Sequence, residues 1–355
     1  MATLYGKTYT RAELLAYVGD VSQVGGAQWG ALTDGRAHGL RIAHVRTGSG
    51  LDYQVLVDRA LDLGLVTYNG IPLTYLSPGG WAAPYYYEPE GQGWIRTFGG
   101  GLLTTCGLTQ VGNPTEDAGE ALGIHGRISN LPAVNVCLGG EWQGDEYEFW
   151  VEGEVRQAVL YGENLRLRRR ISGRLGEAVI HIRDRVENMG GRRSPFMILY
   201  HCNFGHPLLA EGARILWKPH RVVARDKAAE PGLAEVALIQ APDARWEAQV
   251  FYHDMVADAD GWVTLAIANR HFNQGQGLGL VMRYRQAELP FLTHWKQFGV
   301  SDYVMGLEPG NCHVEGRVWE REHGTLQYLE PGEQRDFALE FRILPDNHAI
   351  DALGL

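Results

Sequence analysis

Along much of the chain, apolar and polar residues alternate one by one. Residues 149–155, 165–168 and 180–186 carry their apolar side chains at alternate positions, with charged residues at many of the positions between. This period of two is typical of strands with one buried and one solvated face. Turn signals at 161–164 and 188–191 separate these runs. Short strands at such spacing predict an antiparallel sandwich or barrel rather than alternating strands and helices.

Helical patterns are scarce. The best candidate is Arg11 to Val18, where Thr10 is placed to cap the helix and Glu13 completes a capping box. The length alone suggests two domains, but no Ser/Gly-rich or Pro-rich linker and no internal repeat divides the chain. We therefore expect residues 1–355 to form a single all-β domain, one large antiparallel β-sandwich, with residues 1–20 as a short N-terminal helical segment.

Composition and charge narrow the class of protein. The 355 residues include 45% hydrophobic and 21% charged residues, which excludes a largely disordered chain. The net charge of −10 argues against nucleic acid as a partner. No apolar run is long enough to span a membrane, the N-terminus lacks a signal-peptide pattern, and the four cysteines form no disulfide-like pattern. We expect a cytoplasmic protein.

Three segments place an ionisable side chain where an apolar run breaks into Gly or Pro. They are residues 122–130 with His125, residues 199–207 with His201, and residues 305–313 with Glu308. Loops on a rigid scaffold commonly carry binding and catalytic groups. These three side chains are therefore predicted to share one open cleft.

The same segments carry a resemblance to a known family. Gly123-Ile124-His125-Gly126, the His201 segment and Leu307-Glu308-Pro309 occur in the order found in aldose 1-epimerases, the galactose mutarotase-like proteins. The residues 94–107, 125–130 and 307–312 are similar to those of a bacterial branch of uncharacterised aldose 1-epimerase-like proteins. The resemblance covers roughly residues 50 to 345 and implies a galactose mutarotase-like supersandwich with few short helices.

The resemblance also implies roles for individual residues. His201 falls at the general-acid position, Glu308 at the general-base position and His125 at a second substrate-facing histidine. Arg96 is the candidate for the sugar-contacting arginine and Asp254 for the substrate-binding aspartate. Further substrate-binding candidates, taken from the motifs or from the Trp-Lys pair at 295–296, are Asn203, Arg127, Trp295 and Lys296.

Mutarotation fits one carboxylate and one imidazole. A base takes the proton from the anomeric hydroxyl while an acid protonates the ring oxygen, and the opened sugar recloses with the roles reversed. We expect the two groups on opposite sides of a pyranose ring. A glycosidase would need two carboxylates beside the bond, and only Glu308 stands out.

Metal and nucleotide motifs are missing from the sequence. No H-x-H or H-E-x-x-H spacing links the histidines, and residues 99–101 do not complete a G-x-G-x-x-G motif. We expect no cofactor, no metal, and a free sugar as the partner, with no membrane or nucleic acid; a homodimer is one candidate for the oligomeric state. Two alternatives stay open beside the mutarotase: an epimerase or isomerase acting at a carbon next to the carbonyl, and a non-catalytic carbohydrate-binding protein.

Overall fold

The computed structural model describes residues 1–218 and 220–355. About 47% of the chain lies in strands and 12% in helices. Within these residues there are twenty-four strands, four α-helices and six 3-10 helices. The strands are β1 (Ala2–Leu4), β2 (Lys7–Tyr9), β3 (Gly26–Ala31), β4 (Arg41–Arg46), β5 (Leu51–Leu56), β6 (Asp62–Tyr68), β7 (Ile71–Pro72), β8 (Leu103–Leu108), β9 (Thr115–Asp117), β10 (Glu120–Leu122), β11 (Val134–Gln143), β12 (Glu146–Ala158), β13 (Asn164–Arg174), β14 (Val179–Asn188), β15 (Ser194–Phe204), β16 (Arg214–Trp217), β17 (Arg221–Ala224), β18 (Gln249–Asp254), β19 (Trp262–Asn269), β20 (Leu278–Arg285), β21 (Phe291–Phe298), β22 (Tyr303–Gly310), β23 (Gln327–Leu329) and β24 (Gln334–Leu344).

The helices are short. The α-helices are α1 (Arg11–Leu15), α2 (Phe272–Gly275), α3 (Arg317–Glu322) and α4 (Asn347–Asp351), and the 3-10 helices are Val21–Gln23, Gly35–Ala37, Pro84–Tyr86, Gly93–Thr97, Ile128–Asn130 and Glu230–Glu235. Among the described residues, no helix is both long enough and apolar enough to cross a membrane.

Two large antiparallel sheets, one smaller sheet and two two-stranded sheets, β1-β2 and β9-β10, make up the fold. The eight-stranded sheet has the order β11-β12-β13-β14-β24-β20-β19-β16. The seven-stranded sheet has the order β17-β18-β21-β22-β15-β23, and β8 also pairs with β15. A five-stranded sheet runs β3-β4-β5-β6-β7. The predicted all-β, antiparallel sandwich is confirmed.

The period-two runs become strands whose alternate faces are buried. In the register of β12 and β13, Val151 lies opposite Ile171, and both side chains are buried. The next pair, Glu152 and Arg170, faces outward and forms an ion pair of 2.9 Å. Buried apolar residues from all three sheets pack into one continuous hydrophobic cluster, as expected when sheets stack face to face.

A buried ion cluster ties the two large sheets together. Arg169 on β13 pairs with Asp184 on β14 at 2.6 Å and with Asp62 on β6 at 2.8 Å. Its guanidinium also donates to Thr105 on β8, and Tyr200 on β15 donates to Asp184 at 2.7 Å. Buried charges need this full set of partners. The cluster therefore holds β8 and β15 in place through hydrogen bonds to their buried side chains.

The predicted capping box at the N-terminus is present. Thr10 caps the helix and exchanges hydrogen bonds with Glu13. The helix ends at Leu15, earlier than the predicted Val18. The expectation of a helical segment over residues 1–20 is otherwise wrong, because β1 and β2 pair as an antiparallel hairpin before the helix begins. Leu14 and Val18 are buried, whereas Leu15 is 40% exposed.

Candidate active site

A cleft of about 320 Å³ opens on the face of the seven-stranded sheet that points away from the core. Strands β15, β18, β21 and β22 form its floor, and the segments 94–98, 112–113 and 124–125 contribute to its walls. Its lining residues are Trp94, Ile95, Phe98, Gly112, Asn113, Ile124, His125, His201, Arg225, Ala248, Val250, Thr293, Trp295, Glu308 and Val314. His125, His201 and Glu308 thus lie in one cleft although 76 and 107 residues separate them along the chain.

Strand register brings His201 and Glu308 into contact. Cys202 on β15 pairs with Leu307 on β22, so the preceding residue, His201, lies beside Glu308. The distance from His201 Nε2 to Glu308 Oε1 is 3.3 Å. The sequence led us to expect these groups on opposite sides of a ring, and that expectation is wrong because β15 and β22 are neighbouring strands.

Gly306 provides the space for the Glu308 carboxylate. A Cβ atom at residue 306 would lie 2.2 Å from Glu308 Oε1, closer than any real contact. Gly306 and Glu308 are two residues apart on β22, so both face the cleft. Any larger side chain at 306 would displace the carboxylate.

Burial sets the protonation of the pair. Glu308 is 2% exposed and His201 is 6% exposed. Burial raises the pKa of Glu308 to about 8 and lowers the pKa of His201 to about 4. Between these values the pair holds a single proton, which belongs to both groups jointly. Neither Glu308 Oε1 nor His201 Nδ1 has a hydrogen-bond partner among the described residues.

His125 is held in an unusual backbone conformation. Its φ is 59°, in the left-handed region that few residues other than Gly, Asn, Asp and His adopt. Its N–H donates to the Gly112 carbonyl, and its carbonyl accepts from Gly107 N–H, both at 3.0 Å. The Gly112 N–H also lies 3.4 Å from His125 Nδ1, which favours the tautomer with the proton on Nε2. Its ring lies 5.6 Å from that of His201.

Aromatic rings line the cleft around the pair. Trp94 and Phe98 stack at 4.9 Å, and Trp94 Nε1 is anchored by donating to Ser129 at 2.9 Å. Phe98 lies 5.3 Å from the His201 ring, and Trp295 meets that ring edge-on at 5.6 Å. Flat apolar faces beside polar groups are typical of small-molecule sites.

Arg225 lines the cleft, and its charge is paired with that of the Glu315 carboxylate. Its Nε and Nη2 donate to the two oxygens of Glu315 at 2.7 and 3.1 Å. Tyr252 also donates to Glu315, at 2.6 Å. Burial opposes ionisation of Glu315, but the hydrogen bonds from Arg225 and Tyr252 hold the pKa of its carboxyl below the ordinary value.

The structure places three of the predicted substrate-binding residues outside the cleft. Arg96 is 72% exposed and pairs with Glu88 at 3.3 Å. Asp254 is also 72% exposed and pairs with Arg221. Arg127, two residues beyond His125, lies near Glu120 at 3.8 Å. The arginine that lines the cleft is Arg225 rather than Arg96.

Two further predicted residues are buried but do not line the cleft. Lys296 is fully buried and donates to the carbonyls of Glu235 and Leu238 at 3.1 and 2.9 Å. It follows Trp295 on β21 and so points to the opposite face of the sheet. Asn203 is fully buried and donates to the His201 carbonyl at 2.9 Å, which supports β15. Of the four candidates taken from the motifs and the Trp-Lys pair, Trp295 is the one that lines the cleft.

Sequence reasoning missed Arg225, Thr293 and Phe98 as lining residues. Thr293 precedes Trp295 by two positions, so the period of two could have placed both on one face. Phe98 lies in the glycine-rich stretch that carries the family resemblance. Arg225 gives no such signal, because its position depends on how β17 pairs.

A larger depression, about 640 Å³, lies on the solvent side of the eight-stranded sheet. Several of its arginines are paired with carboxylates, as in Arg168 with Glu154 at 2.9 Å and Arg185 with Asp336 at 2.6 Å. Paired surface charges of this kind are common on sheets and contribute little to folding stability. The smaller cleft, with its buried and unpartnered polar atoms, is the better candidate site.

Two other histidines, His253 and His294, are packed into the interior. His220 Nε2 lies 2.8 Å from His253 Nδ1, and the rings of His253 and His294 lie 5.4 Å apart. Burial lowers the pKa of His253 to about 3 and that of His294 well below its ordinary value. Among residues 1–218 and 220–355, no group of three or more His, Cys, Asp or Glu side chains is arranged to hold a metal ion.

The architecture and comparisons with solved structures define the class of fold as galactose mutarotase-like. A candidate aldose 1-epimerase from Klebsiella pneumoniae superimposes with a TM-score of 0.83 at 24% identity, covering 92% of this chain and 85% of that one. A galactose mutarotase-like protein from Clostridium acetobutylicum gives 0.63 at 11% identity, covering 91% and 99%. A protein named galactose 1-epimerase from Lactobacillus acidophilus gives 0.53 at 13% identity, covering 90% and 99%.

The family model that matches is described as a domain of unknown function, DUF4432, and it covers residues 37–343. The chain belongs to this family. No curated protein matches the chain.

Proposed function

We propose that the protein is a mutarotase that interconverts the anomers of a free sugar by general acid–base ring opening. The observation that carries the proposal is the buried contact of 3.3 Å between His201 Nε2 and Glu308 Oε1 at the floor of the cleft. One proton shared by a carboxyl and an imidazole supplies both the base and the acid that the reaction needs.

The adjacency of the two groups suits the anomeric centre. The anomeric oxygen O1 and the ring oxygen O5 are bonded to the same carbon, C1. Two neighbouring side chains on one side of the sugar can therefore reach both oxygens. In the minor form of the pair that reacts, the shared proton lies on His201 and Glu308 is ionised. Glu308 then takes the proton of the O1 hydroxyl while His201 delivers its proton to O5, and the C1–O5 bond breaks to give the aldehyde.

Reclosure reverses these roles. After rotation about the C1–C2 bond, the hydroxyl at C5 returns its proton to His201 and attacks the carbonyl carbon. Glu308 then protonates the carbonyl oxygen, which becomes O1 of the opposite anomer. The pair ends with the single proton with which it began, so no cofactor is consumed.

Other features of the cleft support sugar binding. His125 presents Nε2–H as a donor for a hydroxyl, and Trp94, Phe98 and Trp295 offer apolar faces for the C–H groups of a sugar. Among the described lining residues, Glu308 is the one carboxylate. A glycosidase would need a second one at a defined spacing.

Anomer-resolved NMR on a panel of free aldoses tests the proposal. The expected result is accelerated exchange at C1 for at least one sugar, with no deuterium from solvent entering a carbon position. Deuterium at C2 would instead indicate an epimerase or isomerase that abstracts a proton next to the carbonyl. Saturable chemical-shift changes without exchange would indicate a carbohydrate-binding protein, and either of these outcomes would refute the mutarotase.

A further inference from the structure

Thr293 has an unused hydroxyl in the floor of the cleft. The residue is 2% exposed, lines the cleft, and its Oγ1 has no hydrogen-bond partner among the described residues. Leaving a buried hydroxyl unpaired costs free energy. In the mechanism proposed above, neither proton transfer uses this hydroxyl. A buried polar atom aimed into a binding cleft therefore points to a contact with the ligand.

Register fixes the position of Thr293 relative to the pair. Thr293 on β21 lies directly opposite Glu308 on β22, and His201 on β15 lies on the other side of Glu308. The three side chains therefore form a row across neighbouring strands in the order His201, Glu308, Thr293. Adjacent strands are about 4.8 Å apart, so the row is short enough to meet consecutive oxygens of one sugar.

The order of these side chains matches the order of oxygens along one edge of an aldopyranose. O5 and O1 share C1, and the hydroxyl on C2 lies on the other side of O1 from O5. With O5 at His201 and O1 at Glu308, the C2 hydroxyl is the group that comes to Thr293. A hydroxyl side chain can both donate to and accept from such a group.

We propose that Thr293 binds the C2 hydroxyl and so selects aldoses that carry a free hydroxyl at C2, against 2-deoxy and 2-acetamido sugars. The inference rests on the proposed function, because it places O1 and O5 at Glu308 and His201. It makes Thr293 a specificity-determining residue that takes no part in proton transfer.

The test compares matched sugars on matched variants. Mutarotation of glucose and 2-deoxyglucose, and of galactose and 2-deoxygalactose, is followed by NMR for the wild type, Thr293→Val and Thr293→Ser. The wild type should favour the 2-hydroxy sugar by about 10- to 100-fold in kcat/KM, the range for one buried hydrogen bond. Thr293→Val should reduce that preference to about threefold or less by slowing only the 2-hydroxy sugar, and Thr293→Ser should retain it.

A control variant and a folding measurement separate the loss of a specific contact from a general loss of structure. Thr67→Val, on β6 of the five-stranded sheet, should leave the preference unchanged, and circular dichroism checks that each variant folds. Equal rates for the paired sugars in the wild type, or an undiminished preference in Thr293→Val, would overturn the inference while leaving a mutarotase in place.

If no aldose undergoes faster exchange, the proposed function fails and binding decides the inference alone. Affinities for the same four sugars are then measured by NMR titration. A preference for the 2-hydroxy sugars that Thr293→Val abolishes supports the contact. Equal affinities, or no binding of any of the four, would overturn it.

Discussion

Replacing Glu308 by Gln is expected to slow the proposed reaction and to stabilise the fold at the same time. Burial raises the pKa of Glu308 from 4.5 to about 8. A carboxyl with a raised pKa in the folded state keeps its full stability below pH 4.5 and loses it as pH rises through 8. At 1.36 kcal/mol for each pH unit, the loss amounts to roughly 5 kcal/mol above pH 8. Gln has the same shape and no titrating proton.

Urea unfolding at pH 5, 7 and 9 measures this effect. The difference in unfolding free energy between Glu308→Gln and wild type should grow by several kcal/mol in favour of the variant over that range. The other titrating groups are present in both proteins, so their contributions largely cancel in the difference in unfolding free energy. Turnover of an identified sugar should fall by at least about 100-fold, since the proposed base is gone.

The surface change Glu116→Gln is the control, and it should alter neither quantity. A stability difference that stays flat from pH 5 to 9 would refute the reasoning. It would mean that Glu308 is ionised at neutral pH, held as an ion pair with a charged His201 rather than as a neutral carboxyl.

Three further outcomes are expected. Gly306→Ala should cut turnover by about 100-fold, because the added Cβ displaces the Glu308 carboxylate. The control Gly191→Ala adds its Cβ in open space and should leave turnover in the same NMR assay unchanged. Equal effects of the two substitutions would contradict the steric argument. The pH profile of kcat/KM should be bell-shaped with limbs near 4 and 8, where the His201–Glu308 pair gains or loses a proton. A profile flat from pH 5 to 9 would count against this prediction. Burial lowers the pKa of His294, so stability is lost as pH falls below 6.5. His294→Leu should therefore lose less stability than wild type between pH 6.5 and 5 in urea unfolding, and identical losses would show that folding does not lower the pKa of His294.

Much of the fold follows from local pattern. The alternation in residues 149–155 and 165–168 predicts β12 and β13, because a half-buried strand must alternate its side chains. The capping box at Thr10 predicts where α1 begins, since that signal lies within four consecutive residues. The order of strands in each sheet does not follow from such signals, because it depends on pairing between distant segments.

The candidate site shows the same division. His125, His201 and Glu308 stand out because each interrupts an apolar run at Gly or Pro. The contact between His201 and Glu308 is set by the register of β15 and β22, and no local sequence pattern encodes that register. For the same reason Lys296 drew attention as the neighbour of Trp295, although β21 turns their side chains to opposite faces.

Residues outside the motifs depend wholly on tertiary structure. Arg96 resembles a sugar-contacting arginine by sequence position, but its side chain points to solvent beside Glu88. Arg225 lines the cleft because β17 pairs with β18 and because Glu315 holds its guanidinium. Charge alone could not distinguish these two arginines.

The most direct test of the account is a double-mutant cycle on the rate of anomer exchange at C1. The variants are His201→Asn, Glu308→Gln and the double substitution, each measured by NMR with the same free aldose. If the two side chains share one proton and act in one step, each single change should cost at least about 100-fold and the double variant should be about as slow as the slower single. Losses that multiply in the double variant, or a single variant within about tenfold of wild type, would contradict the central claim.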